Sequence, residues 1–286
     1  MSGPHPFVTL TDSELAVLEE AHLRELAGEP EPDATDPGGA DLGGTDPDVA
    51  DLGGTDPDGA FEHARRTLRA GGLLTADGDL VPGDVAEDGA PDLPAAVGLA
   101  LDVRLSADVR VVASRLVGPL LGVGPQEHRP VRSTRVLHLV TQGACVEDLD
   151  EEGLHSLALT TDQEQAARSL EEALLPPDAA DGRGGPVQVD TTRIEHLAEA
   201  LGRPTVLAEL AVLVPEGGDG PGAPAATGVL LAMGPGGCWA GPTAVDEDGR
   251  TTLHPVPRTW LGDRARLTVD AVLGTAADGA EGTMAR

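Results

Sequence analysis

The sequence contains no lysine, no tyrosine and no asparagine, and Ile194 is its only isoleucine. Phenylalanine and tryptophan are also scarce, with two of each among 286 residues. A core built from this composition must therefore consist mainly of alanine, leucine and valine. All 19 basic residues are arginine. This bias toward Ala, Gly, Pro, Asp and Arg is typical of a high-GC genome and predicts an actinobacterial source.

Positive charge is in short supply as well. The chain carries 49 acidic and 19 basic residues, which gives a formal net charge of −30. Such a surface repels the phosphate backbone of nucleic acids and the headgroups of anionic membranes. The composition therefore argues against nucleic-acid binding, and it favours either a basic protein partner or simply solubility.

Long apolar runs and targeting signals are missing too. No stretch approaches the roughly 20 apolar residues of a transmembrane helix. The N-terminal residues, MSGPHPFVTLTDSEL, have neither the basic region nor the apolar run of a signal peptide. The two cysteines, Cys145 and Cys238, form no CxxC pair and are expected to be free thiols in a reducing compartment. We expect a cytoplasmic protein that does not insert into membranes.

The stretch from Phe61 to Pro82 is the clearest structural pattern in the chain. Ala64 and Leu68 give a helix an apolar stripe, and Gly71-Gly72 can end it. The following residues predict a short hairpin that turns at Asp77-Gly78. An earlier helix is predicted after Thr11, with Glu14 completing a capping box and His22 at the edge of its apolar face.

The remaining pattern is that of strands joined by short connections, which indicates antiparallel pairing. The first half has predicted strands at 98–105, 109–113, 135–140, 144–149 and 153–159, followed by a helix at 163–174. The second half has predicted strands at 187–189, 227–233, 238–241 and 251–256, and helices at 193–201 and 260–273. Residues 205–214 fit either a helix or a strand. The predicted fold class is α+β, an antiparallel β-sheet core with flanking helices and two similar halves in a quasi-two-fold arrangement.

Five segments follow from this organisation. We predict an N-terminal helix at 1–28, a disordered insertion at 29–59, a first half at 60–176, a second half at 177–273 and a flexible tail at 274–286. The insertion repeats a ten-residue unit, TDPGGADLGG from Thr35 and TDPDVADLGG from Thr45, and starts again at Thr55. Calcium-binding β-roll repeats have a nine-residue period, so a disordered acidic segment is the favoured interpretation and calcium binding the alternative.

Few residue patterns suggest chemistry. The glycine-rich segment around Cys238 has neither the lysine of a P-loop nor the context of a dinucleotide fingerprint, and no GxSxG motif is present. Cys238 with His254 as its base could form a reactive thiol, although a buried apolar cysteine is the ordinary interpretation. His138, His155 and Cys145 lie on neighbouring predicted strands, but a zinc site would lack a fourth ligand. We therefore predict no catalytic residue, no cofactor and no metal.

The order of features resembles the EspG family of ESX (type VII) secretion systems. The pattern L-x-x-x-E-L-x-x-L matches Leu10 to Leu18, and a helix that runs into GLL and a DG turn matches Ala64 to Leu80. Leu170 to Val189 and Trp239 to Trp260 resemble the later parts of the family pattern. The Asp/Gly repeat departs from it.

The resemblance implies a cytosolic chaperone that recognises a helical secretion substrate of the PE–PPE type or an equivalent, without catalysis or a cofactor. Trp239 and Trp260 are the candidate partner-contact residues. Two alternatives are an acidic regulatory or scaffold protein with no role in secretion and, with the weakest support, a small-molecule enzyme that uses Cys238 and His254.

Overall fold

The structure is a computed structural model, and it describes residues 4–28, 57–86, 89–107, 109–118, 130–191, 200–202, 204–213 and 227–281. The chain divides into two compact units. One unit comprises Met1–Thr9 together with Asp102–Arg286, and the other comprises Leu10–Leu101. Within the described residues, no helix combines the length and the apolar character needed to cross a membrane.

One ten-stranded sheet dominates the described part of the chain, in the order β1-β5-β4-β3-β2-β7-β8-β9-β10-β6. The strands are β1 Val8–Thr11, β2 Val109–Val117, β3 Val131–Val140, β4 Gly143–Leu149, β5 Leu154–Thr160, β6 Val187–Asp190, β7 Val206–Leu213, β8 Thr227–Gly234, β9 Gly237–Pro242 and β10 Arg250–Val256. All pairings from β5 across to β6 are antiparallel. The described helices are α1 Asp12–Ala27, α2 Pro57–Ala70, α3 Leu93–Ser106, α4 Gln163–Leu174 and α5 Trp260–Glu281.

The main core lies between one face of this sheet and the helices α4 and α5, which pack against each other. Val111 and Ala113 of β2 and Leu137 and Leu139 of β3 are buried in one hydrophobic cluster with residues of α4 and α5, such as Leu170 and Val269. In each strand these two residues are two positions apart, so they point to the same face of the sheet. The cluster is almost entirely aliphatic, as the composition predicts.

The strand order contains two four-stranded meanders, and the division of the chain into halves at 60–176 and 177–273 stays a prediction. The meanders are β2–β5 and β7–β10, and β2 pairs with β7 at the centre of the sheet. Each meander leads into a helix, α4 after β5 and α5 after β10. The antiparallel α+β architecture is therefore confirmed. The rotation that would relate the two halves stays a prediction.

The Leu10–Leu101 unit contains the helix and hairpin with which the sequence pattern begins. Thr11 and Glu14 form the predicted capping box of α1, and α1 packs against α2. Leu68 of α2 is buried, and Leu74 bridges Leu80 across the predicted turn. His22 differs from the prediction, because it is buried with 6% of its surface exposed rather than lying at the helix edge.

The strand predicted at 98–105 is wrong, because these residues belong to helix α3. The alternation of leucine and valine suggested a strand, but Leu99 is 49% exposed, whereas Ala96, Val97, Ala100 and Leu101 are buried at helical spacing. The Asp92 carboxylate accepts a hydrogen bond from the backbone N–H of Ala95 and caps the helix. The cap and the alanine content favour a helix here more strongly than the alternation of apolar residues favours a strand. The predicted hairpin with residues 109–113 does not form, because β2 pairs with β3 and β7.

Other predictions are settled by the element bounds. Residues 205–214, which the sequence left undecided, contain strand β7. The last helix continues beyond its predicted end at Leu273 and into the predicted tail, as far as Glu281. The predicted insertion ends earlier than residue 59, because helix α2 begins at Pro57. The two complete units of the Asp/Gly repeat lie outside the described residues, as does the predicted helix at 193–201 apart from its last residues.

Candidate protein-binding surface

The predicted thiol–base pair is not assembled in a form suited to catalysis. Cys238 is buried in the main core and pairs with Val256 in the sheet, whereas His254 is exposed and pairs with Ala240. Burial first, and then the negative charge of Asp181, raises the pKa of the Cys238 thiol. A buried protonated thiol is a poor nucleophile, so the geometry favours a core role for Cys238.

His138 and His155 lie close together, as predicted, but their environment differs from the predicted one. His138 and His155 were expected on the polar side of the sheet, yet both are buried, as is Glu147 between them. Nε2 of His138 lies 2.7 Å from one carboxylate oxygen of Glu147, and Nδ1 of His155 lies 2.6 Å from the other. Because a carboxylate only accepts hydrogen bonds, both rings donate to Glu147.

An arginine completes the cluster. Nε and one terminal nitrogen of Arg104 donate to the two oxygens of Glu147 at 2.8 and 3.2 Å. Burial by itself would raise the pKa of Glu147, but the hydrogen bonds from His138, Arg104 and His155 together with the Arg104 charge hold that pKa well below its usual range. Glu147 is therefore a carboxylate that ties β3, β4, β5 and α3 together.

Cys145 faces the same side of the sheet, because it pairs directly with His138. Burial, reinforced by the Glu147 carboxylate, raises the pKa of the Cys145 thiol to about 12, so this sulfur stays protonated. A zinc site built from Cys145, His138 and His155 would require a thiolate and neutral histidines with a free ring nitrogen directed at the metal. No group of metal ligands is found among the described residues, and the two imidazoles are directed at Glu147 instead.

The sequence could have revealed Glu147 but not Arg104. Two positions separate Glu147 from Cys145, so strand alternation places both on the face of His138. Arg104 lay in a segment predicted to be a strand, and its contact with Glu147 depends on the helical form of that segment.

The predicted partner-contact residues lie in or against the interior. Trp239 is 7% exposed and belongs to a second hydrophobic cluster with Val189, Leu201, Ala232 and Leu253. Trp260 is half-buried and packs against the main core. A partner-contact role for either tryptophan stays a prediction, and the burial of Trp239 argues against direct contact.

A different surface has the character of a protein-binding site. The four central strands, β3, β2, β7 and β8, have one face in the main core, where Val111 and Leu210 are buried. The opposite face of the same strands is mixed: Arg110 and Arg132 are exposed on it, whereas His138 and Ala232 are buried on it. Between these residues lie side chains that are half-buried, apart from one exposed carboxylate, and Leu207 and Leu230 among them also pack against the second hydrophobic cluster. We call this set the central strip, and it consists of Val112, Ser114, Leu116, Thr134, Val136, Leu207, Glu209, Ala211 and Leu230.

The strand register makes the central strip continuous. Val112 pairs with Val136 on β3 and with Ala211 on β7, and Glu209 pairs with Ser114 on β2 and Leu230 on β8. Residues that pair directly in an antiparallel sheet point to the same side, with Cβ atoms about 5 Å apart. The strip is therefore a mainly aliphatic surface on a rigid support, with the hydroxyl groups of Ser114 and Thr134 near its middle.

Comparison with known proteins adds to this geometry. No protein-family model matches the chain, and no curated protein matches its sequence. Among solved structures, the chain matches the complex of the Mycobacterium tuberculosis type VII secretion system chaperone EspG5 with the PE25–PPE41 dimer, at a TM-score of 0.51 and 14% sequence identity. The match covers 92% of this chain and 95% of that chain. The chain therefore has the fold of EspG5, which confirms at the level of fold the resemblance read from the sequence.

Proposed function

We propose that this protein is a cytosolic chaperone of a type VII secretion system that binds a helical secretion substrate, a PE–PPE-type pair. The observation that carries the proposal is the fold likeness to EspG5, which covers nearly all of both chains. EspG5 is described as a chaperone and is seen in complex with the PE25–PPE41 dimer. Because proteins of one fold can have different functions, the proposal is also tied to a particular surface of this chain.

The central strip is the surface that we assign to the client. A helical client needs an apolar surface on which its own apolar side chains can be buried, and the valine and leucine side chains of the strip provide one. Because the strip is part of a sheet whose other face is packed against α4 and α5, it needs little ordering when a client binds. No catalytic step is part of the proposal.

Titration calorimetry of the purified chain with the PE–PPE-type pair encoded nearest to its gene tests the proposal. We expect saturable binding of one pair per chain. Val112→Asp is expected to weaken binding at least about tenfold, because it places a charge in the buried part of the interface. Val245→Asp is the matched control: it makes the same substitution at a residue that is 48% exposed outside the strip, and its affinity should stay within about twofold.

Thermal unfolding of both variants must accompany the titration, so that a loss of binding by Val112→Asp is not a loss of folding. Failure of the wild-type chain to bind the pair would contradict the proposal and favour the regulatory or scaffold alternative. Equal affinities of Val112→Asp and the wild type would retain the chaperone function but remove the central strip as its site.

A further inference from the structure

Glu209 is the one charged side chain among the residues that define the central strip, and the exposed Arg110 and Arg132 lie on the same face beyond that set. Glu209 is exposed on β7, between Ser114 on β2 and Leu230 on β8, with Leu207 and Ala211 two positions away on the same face of its own strand. In the part of the chain that the structure describes, its carboxylate takes part in no hydrogen bond or ion pair. Most of its nearest neighbours on the sheet are aliphatic.

An unpaired carboxylate in this position constrains any partner. In the free protein water solvates Glu209, so the charge costs little. A client that covers the strip removes that water, and burying a charge without a partner is strongly unfavourable. The neighbours of Glu209 offer few hydrogen-bond donors that could replace the lost water. Leucine and alanine have no polar side-chain atoms, and the Ser114 hydroxyl lies 3.5 Å from the Thr134 hydroxyl, with which it can share a hydrogen bond.

From this we propose that the client places a basic side chain, arginine in particular, against Glu209 when its apolar surface covers the central strip. This inference rests on the proposed function and specifies the chemistry of the partner at the same surface. A planar guanidinium presents five N–H donors and can pair with both oxygens of a carboxylate. Ser114, directly opposite Glu209, supplies a further acceptor for the remaining N–H groups.

The charge of the whole chain favours the same partner. With a net charge of −30, the protein attracts a basic surface and repels an acidic one before contact is made. This long-range attraction is screened by salt, whereas a desolvated pair at Glu209 is screened much less. Long-range attraction and a specific pair can therefore be distinguished by experiment.

The test is the affinity of Glu209 variants for the PE–PPE-type pair encoded nearest to the gene, measured at low and at physiological salt. Glu209→Arg is expected to weaken binding at least about tenfold, because it sets two like charges against each other. Glu209→Gln, which keeps one acceptor oxygen and loses the charge, is expected to have a smaller effect. Glu151→Arg is the matched control, since it makes the same change of charge in the exposed turn between β4 and β5 and should stay within about twofold.

A second measurement identifies the partner group. Arginines on the client surface are replaced by glutamate one at a time, and one such variant should regain affinity for Glu209→Arg while losing it for the wild-type chain. Wild-type affinity of Glu209→Arg would overturn the inference while leaving the proposed function in place. Failure of the wild-type chain to bind the pair would remove both. The inference would also be overturned if the chain alone forms a dimer and Glu209→Arg abolishes that dimer. The strip would then be covered by a second copy of the chain.

Discussion

His138 is the residue whose environment departs most from the surface position that the sequence suggested. In its neutral form the ring donates from Nε2 to Glu147, and Nδ1 is buried without a hydrogen-bond partner in the described part of the chain. Protonation would place a second N–H group at Nδ1, close to the positive charges of Arg104 and Arg110. Burial is the largest cause that lowers the pKa of His138, and its hydrogen bond to Glu147 only partly offsets that effect.

This environment predicts a dependence of stability on pH. Below the unfolded-state pKa of about 6.5, His138 binds a proton in the unfolded chain but stays neutral in the folded chain. The free energy of unfolding therefore falls as the pH falls from that value toward the lower folded-state pKa. One proton limits the slope to about 1.4 kcal/mol per pH unit. His138→Gln has no imidazole to protonate, so it lacks this loss of stability in acid. The difference in the free energy of unfolding between this variant and the wild type, measured by urea unfolding, should therefore be smaller at about pH 5.5 than at about pH 7.5.

His63→Gln provides the comparison for His138. His63 is exposed on α2, so its substitution removes a histidine without touching the buried Glu147 cluster. A difference in the free energy of unfolding between His138→Gln and the wild type that is constant with pH, or that widens in acid, would show that His138 does not reject its proton in the folded state.

At the scale of the elements, the loop between α4 and β6 makes close backbone contacts with β8, β9 and β10. The Gly182 N–H donates to the Val256 carbonyl at 2.8 Å, and the Ala180 N–H donates to the Gly234 carbonyl at 3.0 Å. A Cβ atom at position 182 would lie 2.1 Å from the carbonyl oxygen of Cys238 and 2.7 Å from the backbone nitrogen of Val256. Those atoms belong to β9 and β10 and cannot rotate away as a side chain could.

Gly182→Ala is therefore expected to lower the free energy of unfolding by about 2 kcal/mol, since the loop or the two strands must shift to make room. Gly185→Ala, in the same loop, has no heavy atom within 4 Å of the added Cβ and should change stability by less than about 0.5 kcal/mol. Chemical unfolding of the two variants measures the difference. Equal stabilities would contradict the close packing of this loop on the sheet.

Elements with local signals were predictable from the sequence, and those that depend on distant contacts were not. The capping box at Thr11 and the short connections of the meander are encoded within a few residues, and both are confirmed. Helix α3 was missed because its leucine spacing fits a strand as well as a helix, and the choice depends on the cap at Asp92 and on which residues become buried. The central strip could not be predicted, because it requires β7 to pair with both β2 and β8 across long sequence separations.

At the scale of the whole molecule, one face of the sheet carries the main core, and the opposite face carries the buried Glu147 cluster, the second hydrophobic cluster and the central strip. Along β2, odd-numbered residues such as Val111 and Ala113 belong to the main core, and even-numbered residues such as Val112 and Ser114 belong to the central strip. The same strands therefore provide stability on one side and, in our proposal, a client surface on the other. A protein with hardly any aromatic residues can use this plan, because aliphatic strands pack well on both sides.

The most direct test of the account is the mass of what co-purifies when the chain is expressed together with the PE–PPE-type pair encoded nearest to its gene. Light scattering coupled to size exclusion should give one species whose mass exceeds that of the pair alone by 29.1 kDa, the mass of one chain. Elution of the chain and the pair as separate species at micromolar concentration would contradict the proposal that this protein is a secretion chaperone.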